Sequence, residues 1–296
     1  MIALLLLFAV VDEPIPLVAP AALEVHFGEG LWNGRIAKID VTAPSPIAVL
    51  TGSINGKPVV AYPASAEGPH FVALGPVDIE TRPRPVPVVL EAVLANGTKL
   101  RFTEKQPVQA APYDERELTV GNQFVQPSKA QRERAGKETR IMDQALAHPS
   151  AERLWRGSFA KPTPGVETSP FGTRRTYHGD KTQKHNRHYG WDLNGAWGDP
   201  IFAANRGRVA LAADRFYSGG TIVIDHGQGL FTMYFHMSRI DVQEGDIVEK
   251  GQPLGAVGAS GQVTGPHLHF SAKLDGMYQD PKYLLGLALD DGALKP

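Results

Sequence analysis

The chain has 296 residues, a formal net charge of -1 at pH 7, a hydrophobic fraction of 42% and no cysteine. That length accommodates two medium domains with proper cores, and the near-zero charge removes the long-range field that draws a protein to nucleic acid or anionic membranes. The lack of cysteine excludes disulfides, thiol nucleophiles and cysteine-ligated zinc, so a metal would have to sit on His, Asp or Glu.

The apolar run from Met1 to Val11 ends at Asp12 and Glu13 and is too short to span a bilayer comfortably. It reads as the hydrophobic region of an export signal, with Ala19-Pro20-Ala21 as a small-residue cleavage site, although no Lys or Arg precedes it. Residues 1–22 are therefore expected to direct export to the periplasm or cell envelope, with membrane contact only through this segment if it stays uncleaved. The competing reading is a buried first strand.

Residues 23–112 carry short apolar runs broken by Pro and Gly, without helical periodicity, and predict an immunoglobulin-like β-sandwich. Val86 to Leu94, then Asn96-Gly97, then Thr98 to Thr103 is the sharpest hairpin signal, because Asn-Gly supplies the positive φ angles of a tight turn. Gly28, Gly30 and Gly34 have the wrong spacing and setting for a dinucleotide loop and read as turn glycines. Residues 113–154 are expected to be a linker containing a helix, capped at Ser128 and running to about Ala147. Its basic residues Lys129, Arg132, Arg134, Lys137 and Arg140 alternate with Glu133, Glu138 and Asp143, a solvated face rather than a nucleic-acid surface. After Lys161-Pro162-Thr163-Pro164 the chain becomes glycine-punctuated short strands, so residues 155–296 form a second β domain and the whole protein is mainly β.

Seven of the ten histidines fall in that second domain: His178, His185, His188, His226, His236, His267 and His269. In Thr264-Gly265-Pro266-His267-Leu268-His269-Phe270 two imidazoles stand two apart in a strand-like segment and face the same side. Such a pair would repel if both were protonated, which favours a metal or a catalytic role over packing. His188-Tyr189-Gly190-Trp191-Asp192 adds an imidazole and a carboxylate four apart, with a glycine that argues against a helix, and in an extended segment both project from one face. Two imidazole nitrogens and a carboxylate oxygen suit a zinc ion with its fourth position left for water, the pattern of a catalytic site. His185 competes with His188 as a ligand, but its spacing to Asp192 reverses its face, and His178 reads as a loop residue.

His236 lies in the strand Met233-Tyr234-Phe235-His236-Met237-Ser238, where alternation points it away from the face of Phe231, Met233 and Phe235. Taken alone it would be structural; with His267 it could complete a pair of uncoordinated imidazoles beside a metal. No His-Glu-x-x-His helix is present, so a histidine rather than a glutamate must move the proton. Gly258-Ala259-Ser260-Gly261 lacks the lysine of a biotinyl or lipoyl carrier turn and the spacing of a serine-hydrolase elbow, and reads as a turn. Glycines 195, 219 and 261 would let an extended peptide lie over the metal.

These residues resemble the lysostaphin-type (LytM-type) zinc metallopeptidases, whose pattern is His-x-x-x-Asp, a strand histidine, then His-x-His. Ser169-Pro170-Phe171-Gly172-Thr173-Arg174 is similar to the opening motif of that family, and Gly198-Asp199-Pro200-Ile201, Gly207-Arg208-Val209, Asp225-His226-Gly227 and Gly245-Asp246 follow in family order, so the likeness covers about residues 155–285. It implies a C-terminal antiparallel β-sheet peptidase domain holding one Zn2+ on His188, Asp192 and His269. It leaves His236 and His267 as catalytic imidazoles, with His267 the base and His236 stabilising the oxyanion, two roles that could be exchanged. His226 falls on a recurrent family position and reads as a turn or strand-end residue. The implied substrate is peptidoglycan stem peptides or cross-links, cut by metal-activated water, with no nucleic-acid partner and a monomer expected. Some relatives have lost their ligands and act as activators of other wall hydrolases; a non-catalytic wall-binding role is the alternative here.

Overall fold

In strand β8 (Pro85–Leu94), Val86, Val88, Leu90, Ala92 and Leu94 are buried while most of the residues between them are not, the period-two signature of a half-buried strand. The computed structural model describes residues 22–65, 68–119, 128–178 and 183–289; the proposed export segment lies outside them. Strands β1 (Glu24–His26), β3 (Ile36–Thr42), β7 (His70–Pro76) and β6 (Val60–Pro63) form one N-terminal sheet in that order. Strands β2 (Leu31–Trp32), β9 (Lys99–Gln109), β8, β4 (Ile47–Ile54) and β5 (Lys57–Pro58) form the other. Ile39, Val41 and Ala73 from the first sheet and Leu50, Ile54, Val88 and Leu90 from the second share one apolar core, so the two sheets make a sandwich.

The two Asn-Gly pairs behave differently. Gly97 alone takes positive φ, at 84°, and the Asn96 side chain accepts the Thr98 amide, so the β8–β9 connection is a longer loop. The tight turn with both residues left-handed is Asn55-Gly56, φ 50° and 77°, between β4 and β5.

Strand β10 (Glu115–Thr119) pairs in parallel with β12 (Arg174–His178), which pairs antiparallel with β13 (Gln183–Arg187). The linking helix spans Lys129–Ala147 and opens with a capping box between Ser128 and Gln131. Its Met142, Ala145 and Leu146 pack on Leu211, Val223, Phe231 and Met233.

The largest sheet runs β11 (Glu167–Ser169), β14 (Trp191–Asn194), β21 (His267–Leu274), β18 (Leu230–Ile240), β17 (Gly219–Asp225), β16 (Gly207–Arg215), β19 (Ile247–Val248). Strands β15 (Pro200–Phe202), β20 (Pro253–Val257) and β22 (Met277–Gln279) attach to its margins. One face carries Leu193, Ile222, Tyr234, Leu268 and Phe270, which join Trp155 and Phe159 in a core that also takes in Ile36, Val72 and Leu74 of the sandwich. The opposite face carries Met233 and Phe235 and, by cross-strand register, His269 and Asp192.

Candidate metal centre and flanking imidazoles

Asp192 pairs with His269 across β14 and β21, and Asn194 with His267, so both histidines of the His-x-His pair stand on the face of Asp192. His188 precedes β14; its amide donates to Thr173 O and its carbonyl accepts the Gly172 amide. The result is a tight trio. His188 Nε2 is 3.0 Å from Asp192 Oδ1 and 3.0 Å from His269 Nδ1, and His269 Nδ1 is 2.8 Å from the same Oδ1. Gly190 makes it possible, since a Cβ there would lie 2.2 Å from His269 Nε2.

The outward atoms of the trio are all engaged. His188 Nδ1–H donates to Pro170 O at 2.9 Å. His269 Nε2–H donates to Ser271 Oγ at 3.0 Å, and that hydroxyl donates to Tyr189 O. Asp192 Oδ2 accepts from Arg175 Nη2 at 3.1 Å, and the same guanidinium nitrogen reaches Ser169 Oγ at 2.8 Å. Neutral imidazoles with their protons committed outward turn lone pairs inward. Two nitrogens and an oxygen, all acceptors, then face one another at hydrogen-bond range, an arrangement that repels without a cation among them. Burial lowers the pKa of His269 and so opposes neutralising the trio with an extra proton. His188, Asp192 and His269 could therefore hold a metal ion.

Two further imidazoles flank this trio. His267 Nδ1–H donates to Gly265 O, and its Nε2 lies 3.8 Å from Asp192 Oδ1. His236 Nδ1–H donates to Ser260 O, and its ring centroid is 5.0 Å from that of His267 and 6.0 Å from that of His269. Burial, then the neighbouring His269 and His267, push His236 down to about 3. Strict alternation would have sent His236 to the core face. A β-bulge prevents this: Phe235 and His236 together oppose Thr221, and His236 takes φ 65°, which turns its ring to the face of Phe235 and His269. The wall behind it is the 258–261 turn, where Ser260 Oγ accepts the Gly220 amide and donates to Met237 O.

Glycines 219 and 261 serve a purpose other than the expected one. A Cβ on Gly219 would strike Ser260 at 2.1 Å and one on Gly261 would strike Gly219 N at 2.5 Å, so they allow two loops to touch rather than open room for a peptide. His226 is fully buried, bonded to Arg206 O and Thr232 Oγ1, remote from the trio's contacts. The backbones of His178 and His185 sit in β12 and β13; their side chains lie outside the described residues. Arg175 and Ser271 were not singled out from sequence, and Ser260 was read there only as part of a turn. Ser271 had the same signal as His267, two residues from His269 on one strand face; Arg175 had none.

An antiparallel sheet presenting a His/Asp/His cluster with two adjacent imidazoles beside it fits a metal-dependent β-sheet peptidase domain. Residues 186–281 match the family model described as Peptidase family M23, and the chain accordingly carries an M23 domain of the LytM type. It is similar to the peptidoglycan DD-endopeptidases ShyC and ShyA of Vibrio cholerae. ShyC is 34% identical over 115 residues, 39% of this chain and 26% of that protein. ShyA is 36% identical over 109 residues, 37% of this chain and 25% of that protein. The matches thus span about a quarter of the length of these relatives. A crystal structure from Pseudomonas aeruginosa assigned to peptidase M23 superposes with a TM-score of 0.64 at 29% identity, covering 86% of this chain and 94% of the other.

Proposed function

We propose that this protein is a zinc-dependent endopeptidase that hydrolyses peptide bonds in peptidoglycan stem peptides or cross-links, in the cell envelope. The observation that carries the reading is the inward-facing set of His188 Nε2, His269 Nδ1 and Asp192 Oδ1, with every outward atom of those side chains already bonded. The names of the Vibrio relatives support the substrate class. When bound there, zinc would polarise a carbonyl and bring the pKa of a water to about 7.

The chain's own residues do the rest. His267 offers Nε2 as a proton acceptor beside the cluster, its other nitrogen tied to Gly265 O, and acts as general base. His236 is neutral at physiological pH with Nε2 free, so it orients the attacking water by accepting a hydrogen bond, a role different from the oxyanion donor the resemblance implied. Both Nδ1 bonds to backbone carbonyls fix the tautomers, so neither ring must reorganise before the proton moves. The intact cluster and paired imidazoles give the wall-binding activator no support of its own.

Five alanine variants test the reading. His188→Ala, Asp192→Ala and His269→Ala are expected to lose bound zinc and activity; His236→Ala and His267→Ala are expected to lose turnover while keeping zinc. Equal metal content across all five inactive variants would refute the division. Digestion of purified sacculi, with released fragments identified by mass, reports the bond cut.

A further inference from the structure

The opening motif ends in Arg174, but that side chain points outward to Glu115 Oε1 at 2.9 Å, both groups more than half exposed. Its neighbour Arg175, on the other face of β12, turns inward. There its Nη2 bonds Asp192 Oδ2 at 3.1 Å and Ser169 Oγ at 2.8 Å, with only 21% of the side chain exposed. A carboxylate can bind a cation through one oxygen or through both. In this site Oδ1 faces His188 and His269 while Oδ2 belongs to the arginine.

We infer that Arg175 is a positioning residue that keeps Asp192 a one-oxygen ligand, and so preserves an open coordination position for water. This rests on the ligand set proposed above. The guanidinium is suited to the task because it stays charged and its Nη2 carries two hydrogens, one for the carboxylate and one for the hydroxyl. Its strand is held from both sides, by Arg116 of β10 and Asn186 of β13 in register with Arg175. Released from the arginine, Asp192 would be free to turn both oxygens to the ion and raise its coordination number, since partners behind a ligand set its orientation.

The test uses the full chain loaded with cobalt(II) alone, whose visible absorption is strong in four-coordinate sites and weak in higher coordination, geometry being diagnostic of the ligand set. Wild type and Arg175→Lys, which keeps a donor for Oδ2, are expected to show the strong band. Arg175→Met, with bound cobalt stoichiometric and the circular dichroism unchanged, is expected to lose most of it. Ser169→Ala removes the guanidinium's second acceptor, is expected to lose part of the band, and serves as the reading where Arg175→Met does not fold. A wild-type band in Arg175→Met, or in Ser169→Ala where that variant is the reading, would overturn the inference. Failure of wild type to bind cobalt would instead overturn the ligand set.

Discussion

Gly190 lies directly beneath the His269 ring: a Cβ on Gly190 would come within 2.2 Å of His269 Nε2 and 2.6 Å of Ser271 Oγ. The glycine is thus part of the proposed metal centre although it contributes no ligand atom. Gly190→Ala is expected to displace His269 and break its bond to Ser271, weakening zinc retention by about 10- to 100-fold, the usual cost of losing support behind a ligand. Competition with a chromogenic chelator measures this. Retention equal to wild type would show that the ring has room to move.

His236 occupies left-handed backbone at φ 65°, a conformation that costs a non-glycine residue about 1 kcal/mol or more. His236→Gly is expected to be at least as stable as wild type yet inactive, and His236→Val to be clearly less stable, since a β-branched side chain tolerates that region worst. Denaturant melts of the pair decide whether the bulge or the imidazole dominates stability.

His226 gives the fold an acid-sensitive core. Burial lowers its pKa from 6.5 to about 4 against smaller raising effects of Arg206 and Asp225. The folded form therefore binds fewer protons than the unfolded chain between those values, and stability present above pH 6.5 is lost as pH falls toward 4. The loss from this one residue is about 3 kcal/mol. His226→Gln is expected to flatten the stability profile over this window, read from urea midpoints at several pH values; an unchanged slope would mean another group carries it.

Glu138 pins the linking helix to the M23 sheet. Its carboxylate accepts the Phe216 amide at 2.8 Å and pairs with Arg134, and its carbonyl accepts Arg215 Nη2 at 2.9 Å. Glu138→Ala leaves the Phe216 amide without that partner, an expected loss of about 1–3 kcal/mol. Limited proteolysis is expected to cut the helix earlier than in wild type.

Much of the site was legible because strand periodicity is local. His267 and His269 share a face by count alone, and Gly190 keeps His188 and Asp192 in extended chain. His236 was misplaced for a physical reason: its face depends on a bulge opposite Thr221, a property of pairing between strands that nothing in its own segment announces. Arg175 escaped for a related reason, since its contact with Asp192 needs β12, a strand of a separate small sheet, brought against β14 by the rest of the fold. The hairpin read at Asn96-Gly97 is present, but its loop is longer than a two-residue turn, because loop length depends on strand register rather than on the dipeptide. The sandwich itself showed in the alternation of β8, whose inward residues meet the opposite sheet.

The chain between the sandwich and the M23 sheet is not a tether. Strand β10 supplies backbone partners to β12, and the helix roofs Leu211, Phe231 and Met233. A protein trimmed to begin at residue 155 would present a bare hydrogen-bonding edge along Arg174–His178 and an uncovered oily patch beside it, two surfaces that invite self-association. Expression of the C-terminal half on its own should therefore start upstream of Glu115, where the wrapping begins.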